Sequence, residues 1–384
     1  MDTIEPMPIR IPFNRPSVQG KEMEYIAQAI AAGHLSGDGS FTKACERILC
    51  EETGAVRALL TSSCTDALEM AALLLNCGEG DEVIMPAFTF VSTANAFALR
   101  GARPVFVDIR RDTLNLDERL VEARMSSRTK AIVVVHYAGV GCEMDRLREI
   151  ASAHGVALVE DNAHGLFGKY RGRPLGSFGC LSTQSFHETK NITSGEGGAL
   201  LVNDPALVDR SEILREKGTN RSRFFRGQVD KYGWVDLGSS FLPSDLLAAF
   251  LLGQLEQRLN IQARRKAIWT RYAVELRAWA ETSGVGLPHI PLHCDQAFHM
   301  FYLLMPSLDS RQRLISHLRD KGILAVFHYL PLNRSNMARK LGAERSCPVT
   351  EDISDRLVRL PLFTSLTESE QGEVIDSLTE ASLV

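Results

Sequence analysis

The sequence predicts an α/β chain with a large, mostly parallel-sheet domain followed by a smaller α+β C-terminal domain. Three observations carry this. From about residue 55 to 205, short β-branched runs alternate with helical patterns, the signature of parallel βαβ units. At 384 residues the chain exceeds the ~250–300 residues at which single hydrophobic cores stop growing, so a second domain is expected. From about Gln296 onward, a strand-like Phe301-Tyr302-Leu303-Leu304-Met305 and a helical pattern over 311–321 make a compact mixed unit. The division falls near residue 280. Residues 1–280 form the large domain, including an N-terminal segment and a linking helix, and 281–384 the small one.

Along the chain, residues 67–75 read as a helix that is apolar nearly all round and is therefore sandwiched in the core. Val83-Ile84-Met85, Val105-Phe106-Val107, Ile132-Val133-Val134-Val135 and Ala157-Leu158-Val159 follow as strands. Their unbroken apolar runs mark burial on both faces. A helical pattern dense in Leu, Ala, Arg and Gln runs from Asp245 to roughly Ala280 and joins the two domains. No internal repeat or low-complexity segment interrupts this order.

Composition excludes several classes of function. Hydrophobic residues make up 45% and charged residues 23%, with a net charge of −4, ordinary for a soluble enzyme and without the basic excess that nucleic acid or an anionic membrane calls for. The acidic start Met1-Asp2-Thr3-Ile4-Glu5-Pro6 lacks the apolar core of a targeting peptide, and no run approaches the ~20 residues that span a bilayer. The eight cysteines are scattered with no Cys-x-x-Cys pair, which argues against a metal site and for a reduced, cytoplasmic setting.

Lys190 is the most informative residue, lying in the polar, glycine-flanked run Ser185-Phe186-His187-Glu188-Thr189-Lys190-Asn191-Ile192-Thr193-Ser194-Gly195. Lysine amines form Schiff bases with carbonyls, the chemistry that anchors pyridoxal phosphate (PLP). Asp161 closes the strand 156–160, where a carboxylate is placed to keep a pyridinium nitrogen protonated. Taken singly, the two residues also read as a solvated loop lysine and a helix N-cap. Thr65 and Asp66, in Ser62-Ser63-Cys64-Thr65-Asp66, precede a helix whose free amides suit a phosphate, or simply form its capping turn. Phe88 and Phe90 follow the strand at Val83, placed to stack on a planar ring or to fill the core.

In this order the signals resemble the sugar aminotransferases of the DegT/DnrJ/EryC/StrS type, PLP enzymes with the aspartate aminotransferase (fold type I) architecture. The resemblance covers nearly the whole chain, from Ile11-Pro12-Phe13-Asn14-Arg15-Pro16 through Gly78-Glu79-Gly80-Asp81-Glu82-Val83 to Phe327-His328-Tyr329-Leu330-Pro331-Leu332. It implies that Lys190 holds PLP, Asp161 its pyridine nitrogen, His164 its ring hydroxyl and Phe90 its ring face, with Thr65, Asp66 and Ser185 around the phosphate. Ser240 stands where many relatives carry an Asn that reaches a partner's phosphate, which implies a homodimer. Within the family, Ser185-Phe186-His187-Glu188-Thr189-Lys190-Asn191 and the basic, aromatic stretch 217–232 are closest to enzymes that aminate C4 of dTDP-4-keto-6-deoxyglucose in enterobacterial common antigen synthesis. That likeness implies L-glutamate as amino donor and Arg221, Arg226, Lys231, His328 and Tyr329 as contacts to the dTDP-keto-sugar. Related chains with other roles leave a sugar dehydratase or a regulatory protein as alternatives. A Rossmann-type module lacks its Gly-x-Gly-x-x-Gly.

Overall fold

The computed structural model describes residues 8–381, so the reading of residues 1–6 lies outside the described residues. The strands, in chain order, are β1 (Arg57–Thr61), β2 (Glu82–Pro86), β3 (Arg103–Val107), β4 (Thr129–Val135), β5 (Ala157–Asp161), β6 (Lys169–Tyr170), β7 (Arg173–Pro174), β8 (Leu181–Ser185), β9 (Gly198–Val202), β10 (Cys294–Asp295), β11 (Tyr302–Leu304), β12 (Val326–Phe327) and β13 (Leu357–Arg359). A seven-stranded sheet runs β1-β9-β8-β5-β4-β2-β3. Only β9 runs against its neighbours, pairing antiparallel with β1 and β8. The predicted fold class is therefore the one observed.

Strand residues alternate between two cores, which is why the runs are apolar throughout. Val83, Met85, Val133 and Val159 pack with the helix Cys64–Leu74 on one face. Ile84, Ile132, Val134 and Leu158 pack with Leu147 and Ile150 of the helix Met144–His154 on the other. Parallel pairing of β5 with β4 and β8 puts their C-terminal ends together, and Asp161 ends β5 while Ser185 ends β8.

The long helical pattern from Asp245 is three helices, Asp245–Glu256, Arg258–Glu275 and Arg277–Ser283. Gln257 (φ −90°, ψ 5°) leaves the helical region at the first joint, while Leu276 (φ −85°, ψ −7°) stays at its edge at the second, with neither glycine nor proline to announce either. The C-terminal part holds a β11-β13-β12 sheet, and its core joins Phe301, Leu303 and Val358 to Ile11 and to Ile268 and Tyr272 of the second of these helices. Two carboxylates fasten distant helices. Asp245 Oδ1 accepts from the Thr42 amide (2.9 Å) and hydroxyl (2.7 Å) at the start of the helix Ser40–Thr53. Asp108 accepts from the amides of Val349 (2.9 Å) and Thr350 (2.8 Å) at the start of the helix Pro348–Arg356.

Candidate active site

A pocket of about 590 Å³ opens over the C-terminal ends of β5 and β8, where doubly wound sheets bind ligands. Asp161 lies at its floor, 5% exposed. Thr93 donates its hydroxyl to Asp161 Oδ2 at 2.7 Å and the Ala163 amide donates to Oδ1 at 3.2 Å. Burial pushes the Asp161 carboxyl up, while these hydrogen bonds and the charge of Lys190 oppose it. The site thus holds a desolvated acid whose charged form gains from a further cation.

Lys190 is half-buried in the pocket wall. Burial brings its amine down to about 8, with Arg359 adding to the shift and Cys64 and Asp161 working against it. The amine is therefore largely neutral in mildly alkaline solution, the form in which it is a base and a nucleophile.

His164 is buried and stacks on His299, with centroids 4.3 Å apart and planes 17° apart. Its Nε2 lies 3.4 Å from the Tyr329 hydroxyl and its Nδ1 has no partner among the described residues. Burial, with Lys190 and Arg359 adding, pushes its pKa down, so the ring is neutral. Phe90 caps the helix Val91–Ala98 and presents a 56% exposed ring to the pocket.

At one end of the pocket lies the first turn of the helix Cys64–Leu74. Ser63 caps it by accepting from the Asp66 amide, and Thr65 Oγ1 is 2.8 Å from Ser92 Oγ. The turn is held against β9 because Gly198 has no side chain; a Cβ there would lie 2.4 Å from the Cys64 nitrogen. Ser185, His328 and Tyr329 also line the pocket.

Lys190, Asp161, His164, Phe90, Thr65, Ser185, His328 and Tyr329 are thus brought together, and five other predicted residues are not. The Asp66 carboxylate lies outside the pocket lining, where Ser62 donates its hydroxyl at 2.5 Å. Only its amide takes part in the turn, donating to Ser63 Oγ at 3.0 Å. Ser240 is exposed, bridging to Glu216. Arg221 sits over the Phe225 ring at 5.1 Å, Arg226 donates to Glu212 at 2.7 Å, and Lys231 is exposed. None of these four lines the pocket of the single chain.

Sequence reasoning passed over Thr93, His299 and Arg359. Arg359 ends β13 and lines the pocket; its Nε has no partner and no acidic group pairs with it among the described residues. A lone arginine inside Leu357-Val358-Arg359-Leu360 was the available signal, since a charge in an apolar run needs a partner. Thr93 had no such mark, being one hydroxyl residue among several in its helix.

The profile of the DegT/DnrJ/EryC1/StrS aminotransferase family matches residues 16–379. The aminotransferase TlmJ from Streptoalloteichus hindustanus is 30% identical, with 96% of this chain and 98% of that chain covered and a TM-score of 0.88. Spr1654 from Streptococcus pneumoniae, described as a sugar aminotransferase and solved in its PMP form, is 28% identical over 96% and 98%, with a TM-score of 0.88. DesV of S. venezuelae, solved with a ketimine intermediate, is 31% identical over 94% of each chain, with a TM-score of 0.85.

Proposed function

The chain belongs to the DegT/DnrJ/EryC1/StrS aminotransferase family, and on that footing we propose that it moves the amino group of L-glutamate onto C4 of dTDP-4-keto-6-deoxyglucose, giving a dTDP-4-amino-4,6-dideoxyhexose. It is a PLP-dependent sugar aminotransferase with the fold type I architecture. When bound, PLP supplies an electron sink for the amino acid's α-carbon.

The residues present fit that cofactor. The orphaned Nδ1 of buried His164 lies in the pocket wall, the Phe90 ring has an uncovered face, and the buried Asp161 carboxylate gains from a cation. On this reading Asp161 holds the pyridine nitrogen, His164 the ring hydroxyl and Phe90 the ring face, while Thr65, Ser185 and the amides of the turn through Asp66 hold the phosphate.

The observation that carries the reaction is the neutral-leaning Lys190 amine opposite Asp161. Lys190 takes the proton from the donor's α-carbon in one half-reaction and delivers one to C4 of the sugar in the other. Arg359, a pocket cation with no acidic partner among the described residues, pairs with a donor carboxylate. His328 and Tyr329 meet the sugar from the C-terminal part. The stretch 221–234 presents Arg221, Arg226 and Lys231 beside exposed Phe225, Tyr232 and Trp234, chemistry suited to a diphosphate and a thymine. Because it stands away from its own pocket, the proposal includes a homodimer in which this stretch and Ser240 approach the site of the second subunit.

The test is incubation of PLP-loaded enzyme with glutamate and dTDP-4-keto-6-deoxyglucose, with the product identified by mass spectrometry and NMR. An aminated dTDP-sugar is expected, and its ring couplings report the configuration at C4. Amination of a different nucleotide keto-sugar only would reject this substrate and leave the family assignment standing.

A further inference from the structure

At the opposite end of the sheet from Asp161, where β2 and β3 begin, a second cleft of about 290 Å³ opens among Glu82, Arg103, the loop 123–128 and the segment 342–345. Five-residue strands put it roughly 15 Å from the active-site end, at ~3.3 Å per residue. Four guanidinium groups meet there: Arg103, Arg124, Arg128 and Arg345.

Two of them are committed. Arg103 and Arg128 both donate to Glu82, Arg128 through Nη2 at 2.5 Å and Nε at 3.1 Å, and Arg103 also donates to the Gly342 carbonyl at 3.0 Å. Ser126 adds its hydroxyl to Glu82 at 2.6 Å. Burial opposes the charge of Glu82, yet these hydrogen bonds hold it down to about 2, so it stays a carboxylate with its oxygens occupied. Glu344, the other acid on the wall, faces Arg334 and Arg339.

Arg124 and Arg345 are half-buried and uncommitted. Among the described residues neither has an acidic partner or a side-chain hydrogen bond. Burial, then repulsion from Arg124 and Arg103, lowers the pKa of Arg345 against the smaller opposing pull of Cys347 and Glu82.

We infer that this cleft binds a phosphoryl dianion at a site separate from the active-site pocket. Two free guanidinium forks supply two charges and match oxygens arranged tetrahedrally, whereas a carboxylate's single plane and single charge engage one fork. The concave wall concentrates the potential that draws the anion in.

The experiment is calorimetric titration of PLP-saturated enzyme at constant ionic strength with sodium phosphate, methyl phosphate and sodium acetate. Inorganic phosphate or its ester is expected to bind saturably at one site per chain, with acetate giving only heat of dilution. Tighter binding of the ester marks a phosphoryl group on a larger molecule, and tighter binding of phosphate marks the free anion. The Arg124→Gln/Arg345→Gln double variant is expected to lose at least tenfold in affinity while keeping the parent circular dichroism and transamination rate. No saturable heat from either phosphate, acetate binding as well as phosphate, or an unchanged affinity in the double variant would overturn the assignment.

Discussion

Among single residues, Lys190 and Arg359 make the sharpest case. Lys190 stands in a loop and lines the pocket rather than a hydrophobic core, so Lys190→Ala is expected to abolish transamination while leaving the circular dichroism unchanged. Near-normal turnover of that variant would remove Lys190 from the mechanism. Its protonation is checked separately. A lowered amine pKa means protonation is complete only below about 8, so the rate at which cofactor-free enzyme takes up PLP should climb as pH rises through about 8 and then level off. Arg359 depresses that value, so Arg359→Gln should move the midpoint to higher pH. The same variant should raise the KM for glutamate, one charge-assisted hydrogen bond being worth about 1.5–3 kcal/mol, or roughly 10- to 150-fold. An unmoved midpoint with unchanged KM would place Arg359 outside donor binding. Lys190 and Asp161 were legible only through the order of the motifs around them, since each taken singly also reads as a solvated loop lysine or a helix N-cap. Thr93 and His299 reach the pocket only through tertiary packing, and their local sequence has nothing to distinguish them.

Elements read from the sequence in proportion to how little they owed to context. The strands at Val83, Val105, Ile132 and Ala157 are buried on both faces and announce themselves. β8 does not, because Leu181-Ser182-Thr183-Gln184-Ser185 is mostly polar although the first four residues are fully buried. Its polar side chains lie beside β5 and the polar end of the sheet, so periodicity gives no strand there. The joints of the 245–283 helices were equally silent, since flat dihedrals at Gln257 and Leu276 need no special residue. What holds elements in place here is partly hydrogen bonding to a buried carboxylate. Asp245 is 2% exposed and satisfies both donors of Thr42, so Asp245→Ala should cost about 1–3 kcal/mol in urea unfolding by leaving those groups unpaired. A change below about 0.5 kcal/mol, the range of ordinary surface substitutions, would show that water replaces the cap.

For the molecule as a whole, composition and alternation gave the fold class. They gave no information on which of the cationic residues reach the pocket. Arg221, Arg226 and Lys231 stand apart from it in the single chain, and a second subunit is what the proposed function requires of them. Light scattering is therefore expected to report a dimer. Mixing Lys190→Ala with Lys231→Ala subunits should restore part of the activity, because a heterodimer carries one site with both groups intact; a fully active monomer would end the dimer reading. The order of strands has a consequence of another kind. β9 lies between β1 and β8, and Gly198 at its start lets the Cys64 turn close against it, so residues more than a hundred positions apart must meet before the pocket is complete. Arg359 and Tyr329 then arrive from far later in the chain. Contacts of such long sequence separation are slow to form, because the closing of long loops must precede them. Cofactor capture should accordingly be among the last events in refolding, trailing the return of helical signal, and a newly made chain would acquire its chemistry only after its last part has docked.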